Sequence, residues 1–144
     1  MDNIFLKIAS KELPSYPVYE DDFVYAFLDI EPYSKGHTLV VPKKYCPDIE
    51  SIDAETAVAV LMTAKKITIA LRNLYGYEGT VLHQVNGEHA QDVRHFHMHV
   101  YGTLPEPVEH FYKTLPSDPL QREKSFRDIS VEISEYIASR EDVM

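Results

Sequence analysis

The sequence predicts an α+β fold, an antiparallel five-stranded sheet carrying one long helix, with short helices at the two ends. Three observations lead there. Short segments rich in aromatic and β-branched residues are separated by Pro- and Gly-containing turns. One long stretch between the third and fourth of these has apolar residues at three- and four-residue spacing. No stretch of the chain repeats another.

Taken in order, Asn3 to Ser10 supports about two helical turns before the Pro14-Ser15 break. Tyr16 to Tyr19 reads as an edge strand, because Pro17 cannot donate to a sheet ladder. Asp22 to Asp29 (DFVYAFLD) is a second strand, and the Pro32–Gly36 turn leads into a third, His37 to Val41, ended by Pro42. From Asp53 to Tyr75, Ala57, Val60, Leu61, Ala64, Ile67, Leu71 and Leu74 mark one helical face, and Gly76 supplies the stop. Thr80 to Val85 and Val93 to Tyr101 are the last strands, flanking the loop Asn86–Asp92. Leu104 to Pro119 holds four prolines and is expected to be irregular, and Phe126, Ile129, Ile133 and Ile137 mark a terminal helix. Residues 1–105 form the expected core, and 106–144 a C-terminal extension of the same domain.

Composition narrows the function. The 144 residues suit one domain, and 14 Lys+Arg against 23 Asp+Glu leave a net charge of −9. Such a surface repels phosphate backbones, which disfavours a nucleic-acid partner but allows a small nucleotide in a local pocket. The single cysteine, Cys46, excludes an intrachain disulfide framework and a Cys-based zinc cluster. No apolar run reaches the length of a membrane span, and Met1 to Ser10 lacks the pattern of a secretory signal. The expectation is a cytoplasmic protein with no membrane partner.

Five of the seven histidines lie between His83 and His99. In a strand, His95, His97 and His99 would share one face while Phe96, Met98 and Val100 anchor the other in the core. Successive rings would start about 6.6–6.8 Å apart and the outer pair about 13 Å apart. A row of that length does not converge readily on one tetrahedral metal, although two of its members could chelate one. It suits an extended anion such as a phosphate chain, and a neutral imidazole can attack phosphorus and form a covalent adduct. On spacing alone, surface decoration, a metal site and phosphate chemistry all stay open.

The run Gln91-Asp92-Val93-Arg94-His95-Phe96-His97-Met98-His99-Val100 resembles the signature of the histidine triad (HIT) family, Gln, three residues, then His alternating with apolar residues. Gly36-His37-Thr38-Leu39-Val40-Val41-Pro42-Lys43 is similar to the family's G-H-x-L-V-x-P-K strand, and Phe27-Leu28-Asp29-Ile30-Glu31-Pro32 to its F-x-D-I-x-P strand end. Asn3 to Ile8 followed by Leu13-Pro14-Ser15 is similar to its opening. The resemblance implies hydrolysis or transfer of a nucleotidyl group at an α-phosphate, without a cofactor. His97 would be the nucleophile, His95 and His99 would contact or support the phosphoryl group, His37 would lie beside them, and Gln91 would face the leaving group. Asp29 would bind the ribose, while Phe5, Ile8, Phe27, Leu28 and Ile30 would form the slot for a purine base. Asn86 and Asp92 would belong to the phosphate loop.

The same resemblance implies a homodimer through the long helix and a sheet edge, and off-stripe Val58, Met62 and Ile69 suit such a contact. Of the family's branches, the phosphoramidate hydrolases fit the FLDI and GHTLVVPK blocks, with dinucleoside polyphosphate hydrolysis or nucleotide binding with little turnover as alternatives. Two departures stand out. Where many members carry a Cys-x-x-Cys zinc pair and a completing histidine, this chain has Asn3, Leu6 and Tyr45, so no structural zinc is expected. The loop Asn86-Gly87-Glu88-His89-Ala90-Gln91 is about one residue short and lacks the Gly that usually precedes Gln91.

Overall fold

The computed structural model describes residues 3–103 and 114–144. The expected irregular stretch from Leu104, including Phe111 and Tyr112, lies largely outside those residues, as does the boundary at 105/106. Helix α1 (Ile4–Ala9) is followed by strands β1 (Pro17–Glu20), β2 (Val24–Leu28) and β3 (Thr38–Pro42), then helix α2 (Ala54–Tyr75). Strands β4 (Gly79–Gln84) and β5 (Met98–Thr103) come next, and helix α3 (Pro119–Arg140) last. The strands form one sheet in the order β1-β2-β3-β5-β4, every pair antiparallel. Pro17 does sit on the edge strand.

Alternation along the strands divides the molecule into layers. Val24, Ala26 and Leu28 of β2, with Val40 and Val100, face α2 and α3 in the main core. Tyr25, Phe27, Leu39 and Val41 face the other way, against Phe5 and Ala9 of α1. Ile67 and Leu71 are fully buried from α2, as is Ile133 from α3. Each such side chain contributes about 1.5–3 kcal/mol by leaving water. The α2 stripe differs from expectation at Leu61, which is 56% exposed while Val60 and Ala64 are buried. The C-terminal helix is not short. It matches α2 at 22 residues, since Pro119 opens it at the first turn and its apolar stripe runs on from Phe126 to Ile137.

The main correction concerns β5. The chain from Val93 does not enter the ladder until Met98, so the three triad histidines do not stand on one strand. Pro42, opposite this stretch at the end of β3, has no N–H to extend the pairing. Its carbonyl instead accepts a hydrogen bond from the His95 ring at 2.8 Å, and the Phe96 N–H bonds the Cys46 carbonyl at 2.6 Å.

Candidate active site

A cavity of about 710 Å³ opens on the α1 side of the sheet. Its apolar end is built by Phe5 and Ile8 of α1 with Phe27 of β2 and Ile30 just beyond; Leu28 also borders it, although its side chain belongs to the main core. The Phe5 ring meets Phe27 edge-on at 5.8 Å and His97 at 4.8 Å. Asp29, Asp92, His97 and His99 line the polar end. Glu123, Arg127 and Ser130 of α3, at helical spacing, complete the rim.

The His37 position depends on Gly36, whose φ is +90° and whose hypothetical Cβ would lie 2.5 Å from Leu71 Cδ2. Glycine therefore lets the turn close against α2 and delivers the His37 ring to the opposite face. In register, Leu39 lies opposite His99, and His83 opposite His99 from β4, so these histidines share the cavity-side face. Ring centroids separate His37 from His99 by 5.1 Å, His83 from His99 by 5.5 Å and His97 from His99 by 5.4 Å.

Hydrogen bonds assign the protons. The Tyr33 N–H donates to His37 Nδ1 at 3.0 Å, so the neutral ring carries its proton on Nε2. That proton goes to His99 Nδ1 at 2.9 Å, which places the proton of neutral His99 on its own Nε2. His97 Nδ1 donates to the His95 carbonyl at 2.7 Å, while Nε2 faces Asp92 Oδ1 at 3.2 Å, a contact that pairs when Nε2 carries a proton; with Asp92 moved aside and the ring neutral, Nε2 is a lone pair. Burial, then the neighbouring His99 and His83 charges, push His37 down to about 3. Burial and then His97 and His83 push His99 down to about 4. Both stay neutral at pH 7. Burial is likewise the main cause that raises the Asp29 carboxyl, whose Oδ2 lies 3.6 Å from His37 Nε2 and 3.7 Å from His99 Nδ1.

His95 does something different. It is 0% exposed and away from the cavity lining, with Nδ1 accepting from the Cys46 N–H at 3.4 Å and Nε2 donating to Pro42. Both ring nitrogens are spent on backbone, so this ring positions the carbonyl that orients His97. Gln91 and Asn86 are also held outside the cavity lining. Gln91 donates to the Pro47 carbonyl at 2.8 Å and accepts from Arg94 at 2.5 Å. Asn86 accepts from the Ile49 N–H at 2.8 Å and pairs with Gln84. The short loop closes on itself through Ala90 and Gln91 N–H bonds to the Gly87 carbonyl.

Three groups beyond the sequence candidates belong to the site: His83, Tyr101, whose ring lies 4.9 Å from His37, and the α3 rim. His83 sat in view on a predicted strand, but its facing partner is fixed only by sheet order. The family's zinc position does not fit an ion here. Asn3 caps Leu6 and donates to the Arg94 carbonyl, Tyr45 stacks near His95 at 6.1 Å, and neither thiolate is present. Asp29, His37 and His99 bring ligand atoms within 4.8 Å of one another. A cation on His37 Nε2 would have to replace the proton that the Tyr33 contact places there.

The comparisons with known proteins agree with this architecture. The HIT domain model matches residues 10–105. An uncharacterized HIT-like protein of Borreliella burgdorferi is 40% identical over 137 residues, covering 92% of this chain and 96% of that one. Adenosine 5′-monophosphoramidase hnt1 of Schizosaccharomyces pombe is 35% identical over 140 residues, covering 95% and 99%. The crystal structure of a Hit-like protein from Bartonella henselae superposes with a TM-score of 0.79 at 32% identity, over 94% of this chain and 96% of that one. The family match over most of the chain, joined to the histidine geometry, places this protein in the HIT domain family.

Proposed function

We propose that the protein is a nucleotidyl hydrolase or transferase that cleaves a nucleotide α-phosphate from an amine or acyl partner through a nucleotidyl-His97 intermediate. The observation that carries this reading is His97 itself. Its Nδ1 proton is tied to the His95 carbonyl, so Nε2 meets the polar end of a cavity whose other end is an apolar slot. His97 Nε2 attacks phosphorus as the bond to the leaving group breaks, and the leaving atom takes a proton from solvent. Water then cleaves the P–N bond, releasing the nucleoside monophosphate and restoring the imidazole. The Nε2 proton of His99 stabilises the phosphoryl oxygens, and His37 keeps it in place. Asp29 accepts the ribose hydroxyls, while Phe5, Ile8, Phe27 and Ile30 clasp a purine at the end that Leu28 borders. The S. pombe relative's name, a monophosphoramidase, supports the choice of bond.

The test is His97→Ala. Turnover of adenosine phosphoramidate should fall by about a thousandfold or more, with AMP binding retained. A variant that still turns over near the parent rate contradicts the reading. A second reading, a nucleotide-binding module with little turnover, draws on the self-bonded loop that keeps Asn86 and Gln91 away from the cavity. It predicts nucleotide-dependent thermal stabilisation without product release. A homodimer is proposed as well, through Val58, Leu61 and Met62, exposed on α2, and through edge strand β4 with its exposed Leu82.

A further inference from the structure

The geometry points to Asp92 as the residue that selects substrates by the charge of their leaving group, admitting cationic groups and turning away anionic ones. This inference rests on the hydrolase reading above. Asp92 Oδ1 lies 3.2 Å from His97 Nε2, an ion-pair contact with the protonated ring that must open, its proton leaving to solvent, before this atom can reach phosphorus. Reacting atoms in a productive complex stand about 3–3.5 Å apart, so the carboxylate occupies the place a phosphoryl group has to take. A hydrogen bond from the Val93 N–H, 2.9 Å to the same oxygen, holds it there. The side chain is 80% exposed, in contrast to the 3% of His97, so it stands at the mouth and can swing aside without unpacking anything. Swung about its own Cα, the carboxylate stays at the mouth of the cavity beside His97.

The charges around it give the selection its sign. Asp29 and Glu123 are further carboxylates lining the same cavity. Arg127 is the only Lys or Arg among the described residues lining it, and that guanidinium is paired with Glu123 at 2.5 Å. Arg94, two residues along the chain from Asp92, is bound to Asp48 at 2.9 Å and to Gln91. A leaving pyrophosphate or second nucleotide would add negative charge beside Asp29 and Asp92, with the lining Arg127 already paired to Glu123. An amine that carries a further ammonium group would instead meet Asp92 as a counter-ion.

Three adenosine phosphoramidates with amines of equal length, ending in an ammonium, a methyl or a carboxylate, test this. The native protein should favour the ammonium over the carboxylate form by about tenfold in kcat/KM at low salt, and less at physiological salt, where the screening length shortens to about 8 Å. Asp92→Asn should bring that ratio close to one, and Asp92→Glu should restore it. An Asp92→Asn protein that turns over with an unchanged ratio overturns the assignment and leaves the hydrolase reading standing. A native protein that binds AMP but turns over none of the three overturns both.

Discussion

At the polar end of the cavity, hydrogen bonds assign His37 and His99 a single proton position each, and fix the ring of His97 through its Nδ1. At the apolar end, Phe5 and Phe27 are held by packing between α1 and the sheet rather than by hydrogen bonds, with Phe5 also meeting the His97 ring edge-on. The first arrangement is directional and fails when one atom is lost. The second is adjustable, since neighbouring side chains relax partly into any gap. Substitutions at the polar end should therefore act on kcat, and those at the apolar end on KM and stability.

After His97, the largest effect is expected at His37. Replacing it with Asn frees the His99 Nδ1 atom, so the proton aimed at phosphate is no longer fixed. A loss of about a hundredfold in kcat is expected, with KM changed by less than about threefold. Equal losses in both terms, or a loss confined to KM, would make His37 a packing residue.

Stability should follow pH through the same rings. His37 and His99 are depressed to about 3 and about 4, far below the value near 6.5 of an unfolded chain. Between those limits the unfolded state binds more protons, so their contribution is complete above about pH 6.5 and is lost as pH falls toward 4. The raised Asp29 carboxyl acts in the opposite sense in the acid range, because the folded form then holds its proton more tightly. Chemical denaturation should show the native protein losing a few kcal/mol from pH 7 to pH 4.5. His37→Asn should flatten that slope, and an unaltered slope would locate the acid sensitivity elsewhere.

A smaller effect separates the ribose contact from the rest. Asp29→Asn should reduce discrimination between ribo- and deoxyribonucleotides by about tenfold while leaving the apolar slot intact. Titration of AMP and dAMP into both proteins reads this directly, and unchanged discrimination would remove Asp29 from the ribose role.

Much of the polar end was legible in the sequence because its residues lie close together in the chain or in the GHTLVVPK block. What alternation missed was the start of β5. Pro42 ends the ladder through its missing N–H, and that effect arises on a different strand from the histidines it displaces. The different work of His95 and His97 follows from this, although both fit one pattern. The α3 rim was out of reach because Glu123, Arg127 and Ser130 read as an ordinary polar face until the helix is docked. Leu61 has the spacing of the core stripe, four residues after Ala57 and three before Ala64, yet it is exposed while Val60 beside it is buried, so spacing alone does not fix which side of the stripe meets the sheet.

The central claim is that His97 Nε2 becomes bonded to phosphorus during turnover. Rapid acid-free quenching of the protein with adenosine phosphoramidate, followed by peptide mass spectrometry, tests it most directly. The account predicts an adenylyl adduct on the peptide carrying His97, absent from His97→Ala. Steady turnover with no adduct in the pre-steady-state window, or an adduct on another residue, would contradict it.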